Sequence, residues 1–235
     1  MNNINNNVAM VTGASKGIGA AVSYMLAEEN ISELILVARA SQEFNDLKTE
    51  LKKNTKISVH CYEVDLLQQN EVNDFIANVI SSFKNVDILI NNAGLTIPKT
   101  IFESSLEELM STMQVNLYTP FQLIQSLLKS GNKFQHIVNI ASTAGIKGRA
   151  GWSTYSSSKA ALTAFSESLR EELLPLGTRV SCISPGRCAT SLRRVLAPNE
   201  DQSTIMQPED VANVIKLLLS DVGHFIDSEN MVVRL

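Results

Sequence analysis

The sequence predicts an α/β fold: a single doubly wound domain whose parallel sheet of about seven strands carries helices on both faces. Three observations predict it. Short apolar runs alternate with longer stretches of helical spacing along the chain. Several runs, such as Leu34-Ile-Leu-Val-Ala38, are nearly continuous, which marks strands buried on both faces. The 235 residues, 44% of them hydrophobic and 19% charged, are enough for one full core, and no linker or repeat divides them. Residues 1–235 are therefore read as one domain, with the Asn-rich residues 1–7 as a disordered tip.

The elements follow in order. Val8–Thr12 is a strand that breaks into Gly13-Ala-Ser-Lys-Gly-Ile-Gly19; a helical stretch from Ala20 to Asn30 and a strand at Leu34–Ala38 complete a βαβ unit. Helical spacing over 42–54 leads to a strand at 57–64, and over 69–83 to one at 86–90. Leu106–Lys129 reads as a long helical segment that Pro120 kinks or divides. His136–Ile140 is a strand, 153–174 a helix, 179–183 a strand. A helix opens at Pro208-Glu-Asp210, where proline suits the first turn and the acids suit the positive end of the dipole. A last strand lies near Met231–Arg234.

Charge and cysteine usage exclude several function classes. Lys plus Arg number 20 against 24 Asp plus Glu, so there is no basic excess for a nucleic-acid backbone. Cys61, Cys182 and Cys188 form no disulfide framework and fit a reducing compartment. No apolar run has the ~20 residues of a membrane helix, and Met1–Asn7 has no secretory pattern. His60, His136 and His224 are scattered, so no metal site is expected. A cytoplasmic protein is the expectation.

Gly13, Gly17 and Gly19, set between a strand and a helix, let the backbone turn and approach a diphosphate held at the helix N-terminus. This placement predicts a bound dinucleotide. No acid stands at Ala38, Arg39, Ala40 or Ser41 to accept the ribose hydroxyls of NAD, whereas Arg39 and Lys16 suit the 2′-phosphate of NADP(H). Tyr155 and Lys159, four apart, share one helix face, and a neighbouring ammonium would lower the phenol pKa toward usefulness. Ser142 follows a strand, where its hydroxyl can meet a substrate carbonyl. Asn116 lies within the long helical segment, where a buried amide needs partners.

Taken in order, Thr12–Gly19, Asp65-Leu66, Asn91-Asn-Ala-Gly94, Asn116, Ser142, Tyr155 with Lys159, and Pro185-Gly186 resemble the motifs of the short-chain dehydrogenase/reductase family across about residues 8–190. The resemblance implies a Rossmann-type domain and an NADP(H)-dependent oxidoreductase moving a hydride between the nicotinamide and a carbonyl or secondary alcohol. It implies Tyr155 as the proton donor or acceptor, Lys159 as its tuner and ribose contact, Ser142 as the group that orients the substrate oxygen, and Asn116 as the holder of a relay water. Cofactor contacts would come from Gly13, Ser15, Lys16, Gly17, Ile18, Gly19, Arg39, Asp65, Leu66, Asn92, Ala93, Gly94, Tyr155, Lys159, Pro185, Gly186, Cys188 and Thr190. Asp65 is the implied adenine contact, otherwise a helix N-cap. The family also implies a homodimer or homotetramer.

Cys188 stands where the family usually has an aliphatic residue and reads as a small apolar substitute. The chain lacks the Gly-Gly that many relatives carry near the C-terminus. Residues 187–207 form the expected substrate lid. Its Arg187, Arg193 and Arg194, with Lys147 and Arg149, read as solvated cations ahead of an anion-attracting set, and Trp152 either contacts substrate or fills the pocket edge. The rival functions are a 3-oxoacyl-[acyl-carrier-protein] reductase, an NADP(H)-binding sensor or scaffold without turnover, and an S-adenosylmethionine methyltransferase, which leaves Tyr155 and Lys159 unexplained.

Overall fold

A computed structural model describes residues 4–29, 31–53, 56–226 and 230–235. The chain runs β1 (Val8–Thr12), α1 (Gly17–Glu28), β2 (Glu33–Ala38), α2 (Gln42–Leu51), β3 (Ser58–Glu63), α3 (Gln69–Ser82), β4 (Ile88–Asn91), α4 (Leu106–Met113), α5 (Thr119–Lys129), β5 (His136–Ile140), α6 (Thr143–Ile146), α7 (Ser153–Leu173), β6 (Arg179–Pro185), α8 (Ser191–Leu196), α9 (Pro208–Leu219) and β7 (Asn230–Val233). The seven strands form one sheet in the order β3-β2-β1-β4-β5-β6-β7, and every pairing is parallel.

Strand side chains alternate between the two faces, and helices cover both. Ala9 and Val11 of β1, Leu34 and Leu36 of β2, and Ile88 and Ile90 of β4 pack with α1, α2 and α9. Their neighbours Met10, Ile35, Val37 and Leu89 pack with α3, α5 and α7. That double burial is why the strands read as continuous apolar runs. Connections from β1 lead one way to β2 and β3, while β4 begins the other half, so β1 and β4 meet at the switch point where ligands bind in such sheets.

Three sequence expectations change. The tip is ordered from Ile4: Ile4–Asn6 form a 3-10 turn. Asn7 is buried, its carbonyl accepting from Ser32 N and Glu33 N and its side chain donating to Gln135 at 2.9 Å; residues 1–3 lie outside the described residues. The 106–129 segment is divided by a π turn, Gln114–Tyr118, and Pro120 lies in the first turn of the next helix, α5. Two short helices, α6 and α8, appear where none was expected.

His136, at the start of β5, is buried; its Nε2 lies 2.9 Å from Ser181 Oγ and its Nδ1 has no partner. Burial first, then the charges of Arg179 and His224, lower its pKa from 6.5 to about 3. The unfolded chain therefore binds the proton that the folded chain refuses, so stability falls as pH drops from about 6.5 toward 3. In urea unfolding, the wild type is expected to lose on the order of 2 kcal/mol more than His136→Asn between neutral pH and about pH 4.5. Equal losses would refute the assignment.

Candidate active site

The site lies at the carboxyl ends of β1, β4, β5 and β6. Gly13 turns the chain out of β1 at φ +66°, and a methyl group there would lie 2.8 Å from Ala93 Cα. A methyl group on Gly19 would lie 2.2 Å from the Gly13 carbonyl oxygen, so only glycine lets α1 start this close to the strand. Asn92 Nδ2 donates to the carbonyls of Thr12 and Gly13 at 3.0 and 3.1 Å, while Thr12 Oγ1 accepts from the N–H groups of Asn92 and Ala93. The loops after β1 and β4 are thereby stapled together. No side chain caps α1, so its first N–H groups are free to receive an anion.

One cleft is lined by Gly13, Ser15, Lys16, Gly17, Ile18, Arg39, Asp65, Leu66, Asn92, Ala93, Gly94, Ser142, Tyr155, Lys159, Pro185, Gly186, Cys188 and Thr190. The structure thus brings these predicted residues together; Gly19 and Asn116 lie behind its wall. Arg39 and Lys16 are exposed at its rim. Lys16 also faces Glu43, whose carboxyl is held low by its own backbone N–H, then Ser41 and Lys16. Asp65 caps no helix: α3 starts at Gln69, and the Asp65 carboxylate instead accepts from Leu67 N at 3.1 Å. Thr190 caps α8 and packs over Gly17, where a methyl group would meet its Cγ2 at 3.1 Å. Cys188 is buried, and burial pushes its thiol up to about 12, leaving a small apolar group.

On the other side, α7 buries Tyr155 and Lys159 one turn apart. Ser142 caps α6 and hydrogen-bonds the Tyr155 hydroxyl. Lys159 Nζ donates to the Ile140 carbonyl at 2.7 Å, and burial lowers its pKa to about 8. The expected lowering of the Tyr155 pKa by Lys159 is not found. Burial raises it, and what opposes burial is the Ser142 hydrogen bond and then the Arg193 charge.

Asn116 occupies the π turn and is fully buried. Its Oδ1 accepts from Leu95 N at 2.8 Å; its Nδ2 donates to Leu95 O at 3.0 Å and Ser158 Oγ at 2.8 Å. Ser158 Oγ in turn donates to the Tyr155 carbonyl at 2.7 Å. Asn116 Oδ1 and Lys159 Nζ each lie 3.7 Å from where a Gly94 methyl group would stand, so both groups flank the glycine. Pro120 has no N–H, and the α-helical bond to the Asn116 carbonyl cannot form. Ser158 was missed from sequence, although it lies three residues after Tyr155 and therefore shares its helix face. Trp152, Arg149, Leu192 and Arg193 also line the cleft; their convergence has no local sequence signal. Among the described residues no group of His, Cys, Asp or Glu gathers to hold a metal, and no helix is long and apolar enough to cross a membrane.

Comparison with known proteins agrees with this geometry. The short chain dehydrogenase family profile matches residues 7–201. A 3-oxoacyl-[acyl-carrier-protein] reductase FabG of Aquifex aeolicus is 31% identical, over 94% of this chain and 93% of its own. An uncharacterised oxidoreductase of Staphylococcus saprophyticus is 33% identical over 97% and 96%. Among solved structures, an L-sorbose reductase from Gluconobacter frateurii complexed with NADPH and L-sorbose is 27% identical with a TM-score of 0.87, covering 99% of this chain and 96% of that one. The chain belongs to the short chain dehydrogenase family of oxidoreductases.

Proposed function

We propose that the protein is an NADP(H)-dependent oxidoreductase that moves a hydride between the nicotinamide and a carbonyl or secondary alcohol substrate. The observation that carries this reading is the meeting of Ser142, Tyr155 and Lys159 in the cleft that the glycine loop opens into. The cradle fits the cofactor, because bare Gly13 and Gly19 let the loop after β1 and the start of α1 close tightly beneath it, where methyl groups would strike Ala93 and the Gly13 carbonyl. Gly13–Gly19 and the α1 N-terminus hold the diphosphate, Arg39 and Lys16 the 2′-phosphate, Asp65 and Leu66 the adenine. Asn92–Gly94, Pro185, Gly186, Cys188 and Thr190 hold the nicotinamide half.

When bound, NADPH supplies the hydride, and the chain supplies position and protons. Ser142 donates a hydrogen bond that orients the substrate oxygen. Tyr155 gives that oxygen its phenolic proton, and Lys159, an ammonium with a pKa near 8, gives the phenolate a proton back. Asn116, whose side chain ties Leu95 to Ser158 behind Lys159, holds a relay water. Residues 187–207 close over the substrate as a lid.

Arg39→Ala is expected to raise KM for NADPH by about 10-fold, the worth of a charged hydrogen bond, with little change for NADH. Steady-state kinetics with both cofactors check this, and equal changes would remove Arg39 from the 2′-phosphate site. A second reading, 3-oxoacyl-[acyl-carrier-protein] reductase, is favoured by the FabG relative; a panel of 3-oxoacyl thioesters against simple ketones separates the two. NADPH binding without turnover on either panel would favour a sensor. Exposed Leu106, Met110, Phe121 and Leu174 support a homodimer or homotetramer, which sedimentation tests. The free cysteines support a cytoplasmic location.

A further inference from the structure

The arginines that read as solvated in the sequence are organised around the single tryptophan. Arg193 has a side chain only 16% exposed, and its Nε and Nη2 donate to the two oxygens of Glu200 at 2.5 and 2.7 Å. Its Cζ lies 5.7 Å from the centroid of the Trp152 ring, and Arg149 Cζ lies 5.6 Å from the same ring. Arg149, Arg187 and Arg193 line the cleft beside Trp152 and Tyr155, and no carboxylate lines this end of it; Asp65 is the acid among the lining residues, and it belongs to the adenine side. Glu200 serves both Arg187 and Arg193, so one carboxylate is shared by two guanidiniums. Among the described residues no carboxylate pairs with Arg149. The Arg193 charge also reaches the Tyr155 hydroxyl, where it favours the phenolate.

We propose that this end of the cleft seats the carboxylate of an anionic carbonyl substrate, with Arg149 as the open guanidinium, Arg193 as the fixed one and Trp152 as their shared wall. Oxo acids are then preferred to neutral ketones. The inference rests on the oxidoreductase reading above. Unmatched positive charge in a walled cleft concentrates anions. A guanidinium stacked on an indole uses its face and leaves its N–H edge for a carboxylate; Arg193 already shows that geometry with Glu200.

Trp152 is the only tryptophan, so its emission reports the seat directly. Protein loaded with NADP⁺ is titrated with acetoacetate and levulinate and with their methyl esters, and the same compounds are reduced with NADPH. The acids are expected to give a saturable change that the esters do not, and a kcat/KM about 10-fold or more above the esters. Arg149→Gln, an exposed position that leaves the fold intact, is expected to abolish the titration and bring the ratio to about one. Esters bound and reduced as well as the acids, or a ratio unchanged in Arg149→Gln, would overturn the seat and leave the reductase reading standing. A saturable acid titration lost in Arg149→Gln, with no carbonyl reduced, would keep the seat and overturn the reductase reading.

Discussion

Tyr155→Phe is expected to lower kcat by about 10²- to 10⁴-fold, the usual worth of a positioned acid–base group, with NADPH affinity changed by less than about twofold. The ring stays, so the packing that buries position 155 stays with it. Only the hydroxyl that Ser142 holds is lost. The substrate oxygen then has no proton donor at its position, because Lys159 is turned onto the Ile140 carbonyl. Single-turnover NADPH oxidation beside fluorescence titration of NADPH separates the chemical step from binding. A variant that kept most of its kcat would remove Tyr155 from the reaction, and one that lost NADPH binding would recast it as a cofactor contact.

Gly19→Ala is expected to destabilise the fold by about 3 kcal/mol, at the upper end for overpacking, and to weaken NADPH binding roughly 10-fold or more by displacing charge-assisted contacts. The new methyl group would fall 2.2 Å from the Gly13 carbonyl oxygen and 2.5 Å from Asn92 Nδ2. Neither is the loose end of a flexible side chain, since Asn92 Nδ2 is pinned to the carbonyls of Thr12 and Gly13. Relief requires α1 to move off β1, and the N–H groups that would face a diphosphate move with it. Gly148→Ala is the control: a methyl group there meets nothing within 4 Å, and the change is expected to stay within about 0.5 kcal/mol. Thermal unfolding of both variants, with and without NADPH, is the measurement; a Gly19→Ala protein as stable as Gly148→Ala would show that the loop gives way cheaply.

Much of this architecture was legible in the chain because its causes are local. A strand buried on both faces must be apolar throughout, and Leu34–Ala38 says so without knowledge of its neighbours. The glycines and Asn92 are named by a turn that admits little else. The π turn was hidden because its residues keep the apolar spacing of the helices on either side; only Pro120 marked the place. Helix α6, at four residues, is too short for any periodicity to register. The direction of the Tyr155 shift depends on how deeply the phenol is buried, and the grouping of Arg149, Arg193 and Trp152 depends on segments some forty residues apart; neither can be derived from spacing along one helix.

The π turn makes residue count part of the site. A wide turn takes up one residue more than an α turn, and each residue of helix rotates about 100°. Deleting one residue from 114–118 would remove the wide turn and rotate α5 against α4 by about a quarter of a circle. Asn116 would then swing away from Leu95 and Ser158, although every chemical group of the site was still encoded. Length at this one position is thus held as tightly as side-chain identity, and a homologue or design that alters it would keep the motif on paper and lose it in space.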